Sequence, residues 1–149
     1  MTEPKDLSEP LAQAINEFYR RTDELYHNVA KRLGLADCAF EILYSLMVYD
    51  GLTQKQLQMA GFSSKQTISS SVKRLQQDGL VEARNSDGRA NRIFLSAKGR
   101  ELVDQKIRPV CEAELAAAAI FPPASQAIII ENIERYTEAL AAGFDALDL

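Results

Sequence analysis

The 149-residue chain predicts a mainly α-helical protein with a small β-hairpin wing: a winged helix-turn-helix flanked by N- and C-terminal dimerisation helices. Three observations predict it. Two short helices with their own start and stop signals lie between Thr53 and Gly79, separated only by Gly61 and Phe62. The pattern then changes from helical to alternating up to Leu95, with Arg89 in the intervening turn. Charge is segregated to match: the segments 1–52, 53–108 and 109–149 carry net charges of −4, +6 and −6, so the basic residues gather on the central module.

The elements follow in order. Leu7, Leu11, Ile15, Phe18, Thr22, Leu25, Val29 and Leu33 recur at steps of three and four, which gives a long helix with one apolar seam, ended by Gly34. Such a seam wants a partner helix, from this chain or from a second subunit. A second helix begins near Asp37, buries Phe40, Ile42, Leu43, Leu46, Met47 and Tyr49, and closes at Asp50-Gly51. Thr53 and Gln56 have capping-box spacing, with Leu52 and Leu57 as a hydrophobic staple, so a short third helix runs to Gly61. Ser63 with Gln66 repeats the capping box and starts a fourth helix at Ser64; Gly79 and Leu80 end it in a Schellman motif. Leu80, Glu82 and Arg84 then alternate with Val81 and Ala83, and a second strand spans Arg92 to Leu95 after the Asp87-Gly88 turn. Ser96 caps a fifth helix that carries Leu102, Val103, Ile107, Val110, Cys111 and Leu115, with Pro109 expected to kink it. Pro122-Pro123 breaks the chain, and a last helix from about Ala124 aligns Ile129, Ile133, Tyr136, Leu140, Phe144 and Leu147. This divides the chain into an N-terminal helix of the dimerisation region (1–34), a DNA-binding winged helix (35–100) and C-terminal dimerisation helices (101–149).

The fourth helix carries the functional signal. Ile68, Val72 and Leu75 form a narrow buried stripe, while Gln66, Ser70, Lys73 and Gln77 line the opposite side, flanked by Ser69 and Arg74, with no acid before Asp78. Lysine and arginine suit phosphates, and glutamine, serine and arginine suit base edges in a major groove. Gln66, Ser69, Ser70 and Lys73 are therefore expected at or against base edges, and Ser63, Ser64, Lys65, Arg74 and Arg84 near phosphates. Arg89 would reach the neighbouring minor groove or backbone.

Composition narrows the alternatives. Hydrophobic content of 46% and charged content of 26% are those of an ordinary globular protein. No apolar run reaches membrane-span length and the first ten residues lack a signal peptide's pattern, so a cytoplasmic protein without a membrane is expected. Two cysteines and one histidine, His27, offer no metal-ligand cluster. There is no nucleophile with an adjacent base and no glycine-rich phosphate loop, so neither an enzyme nor a cofactor is expected. The competing class is a winged-helix protein–protein adaptor, whose binding face would be expected to expose aromatic anchors.

With these residues in place, the segment Leu33 to Val103 closely resembles the MarR family of bacterial winged-helix transcriptional regulators. The resemblance runs through Leu33-Gly34-Leu35, Leu43 and Leu46, Gly51-Leu52-Thr53 with Leu57, and Thr67-Ile68 with Val72 and Leu75. It continues through Asp78-Gly79-Leu80-Val81, Arg84, Asp87-Gly88-Arg89, Leu95-Ser96 and Lys98-Gly99. Ser96 stands where the family more often has threonine. The resemblance implies a homodimer paired through its first, fifth and sixth helices on a pseudo-palindromic operator in double-stranded DNA. It implies that Asp87 orients Arg89 for the minor groove, and that a small aromatic or phenolic effector, or an oxidant, releases the DNA. Phe18, Tyr26, Phe40, Tyr44 and Met47 are the candidate walls of an effector cleft, with plain core packing the competing reading. Cys38, in the first turn of its helix, is the candidate thiol sensor, and buried structural cysteine is the alternative for it and for Cys111.

Overall fold

The computed structural model describes residues 10–61, 63–85 and 91–148. The chain divides into two compact units, Met1–Arg108 and Pro109–Leu149. The first begins with α1 (Pro10–Arg32), the expected long helix; Leu7 lies outside the described residues. Only Ala30 of α1 is buried, while Leu11, Phe18 and Leu25 of its seam are more than half exposed. Gly34, at a φ of 72°, ends the helix, and α2 (Asp37–Val48) follows as the central support, burying Cys38, Phe40, Ile42, Leu43 and Leu46.

Leu52–Thr53 forms a two-residue strand, β1, and then α3 (Gln54–Ala60) starts from a complete capping box. Gln56 N–H donates to Thr53 Oγ1 at 3.2 Å and Thr53 N–H to Gln56 Oε1 at 3.0 Å. Leu52 and Leu57, the expected staple, are both buried. The strand was not legible because two residues show no alternation; it exists because Leu52 and Thr53 pair with Ile93 and Arg92.

α4 (Lys65–Gln77) differs at its start from the sequence reading by one residue. Ser64, not Ser63, is the N-cap: its Oγ accepts from Thr67 N–H at 3.2 Å, so the Ser63/Gln66 capping box does not form. The spacing offers both serines, and Ser63 is left half-buried one residue outside the helix. The end is as expected. Gly79 has a φ of 72°, its N–H reaches Gln76 O at 3.0 Å, and Leu80 N–H reaches Leu75 O at 2.9 Å, the two bonds of a Schellman motif.

β2 (Val81–Arg84) and β3 (Arg92–Leu95) pair antiparallel, completing a three-stranded sheet in the order β1-β3-β2. The expected alternation of β2 does not sort by burial. Leu80 and Val81 are both buried, Leu80 as the apolar contact of the helix ending, and the residues from Glu82 to Arg84 are exposed. Ser96 caps α5 (Ala97–Leu102) by accepting from Gly99 N–H at 2.9 Å. Between α5 and α6, just before Pro109, lies a π-helical turn, Val103–Ile107, in which Arg108 N–H reaches back to Val103 O. Pro109 itself has no N–H to donate to the ladder, and Val103 and Ile107 stay in the core across the wider turn.

The second unit contains most of α6 (Arg108–Ala118), and α7 (Pro123–Asp145). Pro123 occupies the first turn of α7, where its missing N–H costs nothing. Gln126 Nε2 closes the connection by donating to Phe121 O at 2.8 Å. Neither helix buries a residue; Ile129, Ile133, Tyr136, Leu140 and Phe144 of the predicted α7 face are all exposed. Among the described residues no single helix is long and apolar enough to cross a membrane.

Candidate nucleic-acid interface

α4 is held from below and presented outward. Ile68, Val72 and Leu75 are each 3% exposed or less, packed in a unit where α2 and α3 both abut α4. With that stripe fixed, the other faces have no freedom: Ser64, Lys65, Gln66, Ser69, Ser70, Lys73 and Arg74 are all exposed. The helix carries no acid from Lys65 to Gln77, and its N-terminal N–H groups add positive potential where Ser64 and Lys65 lie. Ser63 is the exception among the predicted residues. It is half-buried and stands one residue before the N-cap, so it belongs to the turn and not to the exposed face.

The structure adds residues that the sequence reading passed over. Gln54, Lys55 and Gln58 of α3 join Lys65 and Ile68 of α4 around an open groove of about 260 Å³. Their signal was present. They fall at i, i+1 and i+4 of α3, and all three are exposed. Two lysines and two glutamines thus extend the cationic, hydrogen-bonding surface of α4 across the helix-turn-helix.

At the base of the hairpin, Arg84 is exposed but held. Its Nε donates to Glu82 Oε1 at 2.9 Å, and the guanidinium carbon lies 4.5 Å from the centre of the Phe94 ring. Stacking and the ion pair restrict the side chain, lowering the entropy that any contact made by it would cost. Arg92 points back instead, donating to Gly51 O at 2.9 Å and tying β3 to the turn before β1. Asp87 and Arg89, the expected wing pair, lie outside the described residues.

Of the candidate effector residues, three come together. The Phe40 ring lies 6.4 Å from that of Tyr26 on α1 and 6.0 Å from that of Tyr44 on α2. Phe40 is buried, Tyr44 and Met47 are half-buried, and Phe18, about two turns before Tyr26, is 67% exposed. Cys38 is buried and Cys111 half-buried, both as free thiols. No cluster of metal-binding side chains occurs among the described residues.

A capped helix with an acid-free, hydrogen-bonding outer face, a preceding helix that shares its groove and a hairpin with an anchored arginine define a winged helix-turn-helix of the kind that reads duplex DNA. Comparison with known proteins points the same way. The sequence model of the MarR family matches residues 33–90, a span from the end of α1 to the hairpin. A MarR family regulator from Neisseria meningitidis shares the fold with a TM-score of 0.78 at 18% identity, over 93% of this chain and 98% of its own. A MarR family transcriptional regulator from Silicibacter pomeroyi matches with a TM-score of 0.74 at 19% identity, over 99% of this chain and all of its own. BpsR of Bordetella bronchiseptica, whose DNA binding is regulated by 6-hydroxynicotinic acid, matches with a TM-score of 0.66 at 18% identity, over 91% of this chain and 98% of its own. No curated protein sequence matches the chain significantly. Residues 33–90 thus match the sequence model of the MarR family, and the chain has the fold of that family's transcriptional regulators.

Proposed function

We propose that this protein is a sequence-specific transcriptional regulator that binds a pseudo-palindromic operator as a homodimer and represses from it. The outer face of α4 carries the reading: eight exposed polar or basic positions from Ser64 to Arg74 and no carboxylate among them. Gln66, Ser69, Ser70 and Lys73 take the base-edge roles, Ser64, Lys65, Arg74 and Arg84 lie near phosphates, and Lys55 joins them from α3. Asp87 and Arg89 supply the wing contact. The homodimer is supported by the apolar faces left open on α1 and α7, which a second copy would cover. The chain then works where the DNA is, in the cytoplasm.

Release is assigned to a small hydroxylated aromatic ligand beside Tyr26, Phe40 and Tyr44. The aromatic cluster and the regulation of BpsR by such a compound support that class. Selection from a random duplex pool tests the core of the proposal. An enriched inverted repeat with half-sites about one helical turn apart is the expected result. Recovery of unenriched, purely salt-sensitive binding refutes it. Sedimentation of the free protein as a monomer at micromolar concentration refutes the dimer.

A further inference from the structure

The register of the hairpin sorts its side chains. Val81 pairs with Leu95 and Ala83 with Ile93, and of these Val81, Ile93 and Leu95 are buried. Glu82 pairs with Phe94 and Arg84 with Arg92, so these four share the opposite face of the sheet. Two arginines directly across a ladder repel each other, and Glu82 is the one acid of the four. The two cations are then settled differently. Arg92 turns to Gly51 O, 2.9 Å away. Arg84 turns to Glu82, two residues back on its own strand.

Two neighbours fix the Arg84 guanidinium. Its Nε–H donates to Glu82 Oε1 at 2.9 Å, and its Nη2–H donates to the same oxygen. The group also lies over the Phe94 ring, with its central carbon 4.5 Å from the ring centre. Gly51 backs that ring: a Cβ there would stand 2.6 Å from Phe94 Cζ, so the ring has no room to retreat toward the turn. A guanidinium has five N–H groups, and those taken by Glu82 lie along its Nε–Nη2 edge. The Nη1–Nη2 edge is a second fork, directed away from Glu82. Two oxygens of one phosphate fit such a fork.

Folding stability does not account for the arrangement. The side chains of Arg84 and Glu82 are 56% and 47% exposed, and an exposed ion pair contributes little to folding. An arginine held by one edge and one face is, by contrast, already ordered for a contact, and ordering a free arginine at an interface is costly.

We propose that Glu82 is a positioning residue for DNA binding: it occupies the Nε–Nη2 edge of Arg84 and, together with Phe94, holds the Nη1–Nη2 edge ready for one backbone phosphate in each half-site. The inference rests on the DNA-binding reading above. It fixes a sign that charge alone reverses. Removing an acid that only repels phosphates raises affinity for DNA. Removing Glu82 lowers it, by about twofold to tenfold per protomer, the cost of immobilising a long side chain that was free.

The test titrates the full chain against a fluorescent duplex carrying the selected inverted repeat, read by anisotropy. Glu82→Ala is expected to bind more weakly than the parent, and Glu82→Gln, which keeps an oxygen to accept from Arg84, to recover most of the loss. In an Arg84→Ala background, Glu82→Ala is expected to weaken binding no further. Equal or tighter binding by Glu82→Ala, no recovery in Glu82→Gln, or the same loss without Arg84 overturns the proposal. Duplexes with a single neutral methylphosphonate in each half-site locate the contact. At one position the neutral linkage should weaken the parent and leave Arg84→Ala unchanged, and a scan with no such position also overturns the proposal. Should Glu82→Ala fail to fold by circular dichroism, Arg84→Lys carries the test, because it keeps the charge and lacks the fork. Weaker binding than the parent then supports the proposal, and parent-like binding overturns it. A parent that binds the selected duplex no better than Arg84→Ala does overturns this inference alone. A parent that binds neither the selected nor a random duplex overturns the DNA-binding reading and this inference with it.

Discussion

Gly51→Ala is expected to destabilise the module and to loosen an arginine that Gly51 does not touch. Gly51 has a φ of 78°, where an alanine side chain costs about 1–2 kcal/mol. The added Cβ would stand 2.6 Å from Phe94 Cζ, so the ring must retreat by roughly 1 Å to regain ordinary contact. An off-rotamer Phe94 costs about 0.5–1.5 kcal/mol. The ring is also the platform under the Arg84 guanidinium, 4.5 Å away, and losing that contact forfeits about 0.5–1 kcal/mol at an exposed site. The total is roughly 2–4 kcal/mol, read as a lower urea midpoint at unchanged slope. Phe94→Leu removes the ring and with it the clash, so the double variant should retain only the backbone part of the Gly51→Ala penalty. The coupling expected from the double-mutant cycle is about 1–2 kcal/mol. Operator affinity should fall about threefold to tenfold in either single variant because Arg84 loses its platform. Additive stabilities, with no coupling, would refute the chain of contacts from Gly51 through Phe94.

Other outcomes follow from single contacts. Gly99→Ala should abolish folding or cost more than about 3 kcal/mol, because its Cβ would lie 2.9 Å from the Leu80 carbonyl carbon and closer to the oxygen, with only backbone to give way; circular dichroism melting reads it. Ser64→Ala should lower stability by about 1 kcal/mol as a lost N-cap in a urea titration, and a parent-like midpoint would return the cap to Ser63. Lys73→Ala should reduce the slope of log affinity against log salt by about one per protomer, measured by anisotropy; an unchanged slope means that Lys73 makes no phosphate contact. Glu41→Gln should make the free protein more stable than the parent at neutral pH. A carboxyl whose folded pKa is raised adds stability only while protonated and loses it as pH rises through the folded value, so the advantage should fade on acidification.

The parts of the fold that were readable in the sequence are those whose cause is local. Thr53 with Gln56, Gly79 with Leu80 and Ser96 with Gly99 each write a helix boundary within a few residues, and the structure forms all three. The inward stripe of α4 was equally local, since Ile68, Val72 and Leu75 repeat within three turns. The exposure of its other face then followed from geometry. What could not be read depends on partners distant in sequence. β1 requires β3, 40 residues on, and the Arg92 bond to Gly51 O spans 41. The π turn just before Pro109 was not legible either, and it keeps Val103 and Ile107 together in the core.

The choice between Ser63 and Ser64 shows why a correct motif can still be placed one residue away. Both serines have a polar residue three positions on, Gln66 and Thr67, so local chemistry leaves the two caps close in energy. The structure takes Ser64, whose Oγ accepts from Thr67 N–H, and leaves Ser63 half-buried one residue outside the helix. The Glu41 carboxyl, with a buried and unpartnered oxygen, stands beside Gly61 in the connection between α3 and α4. A stabilising design would remove such a group or give it a donor.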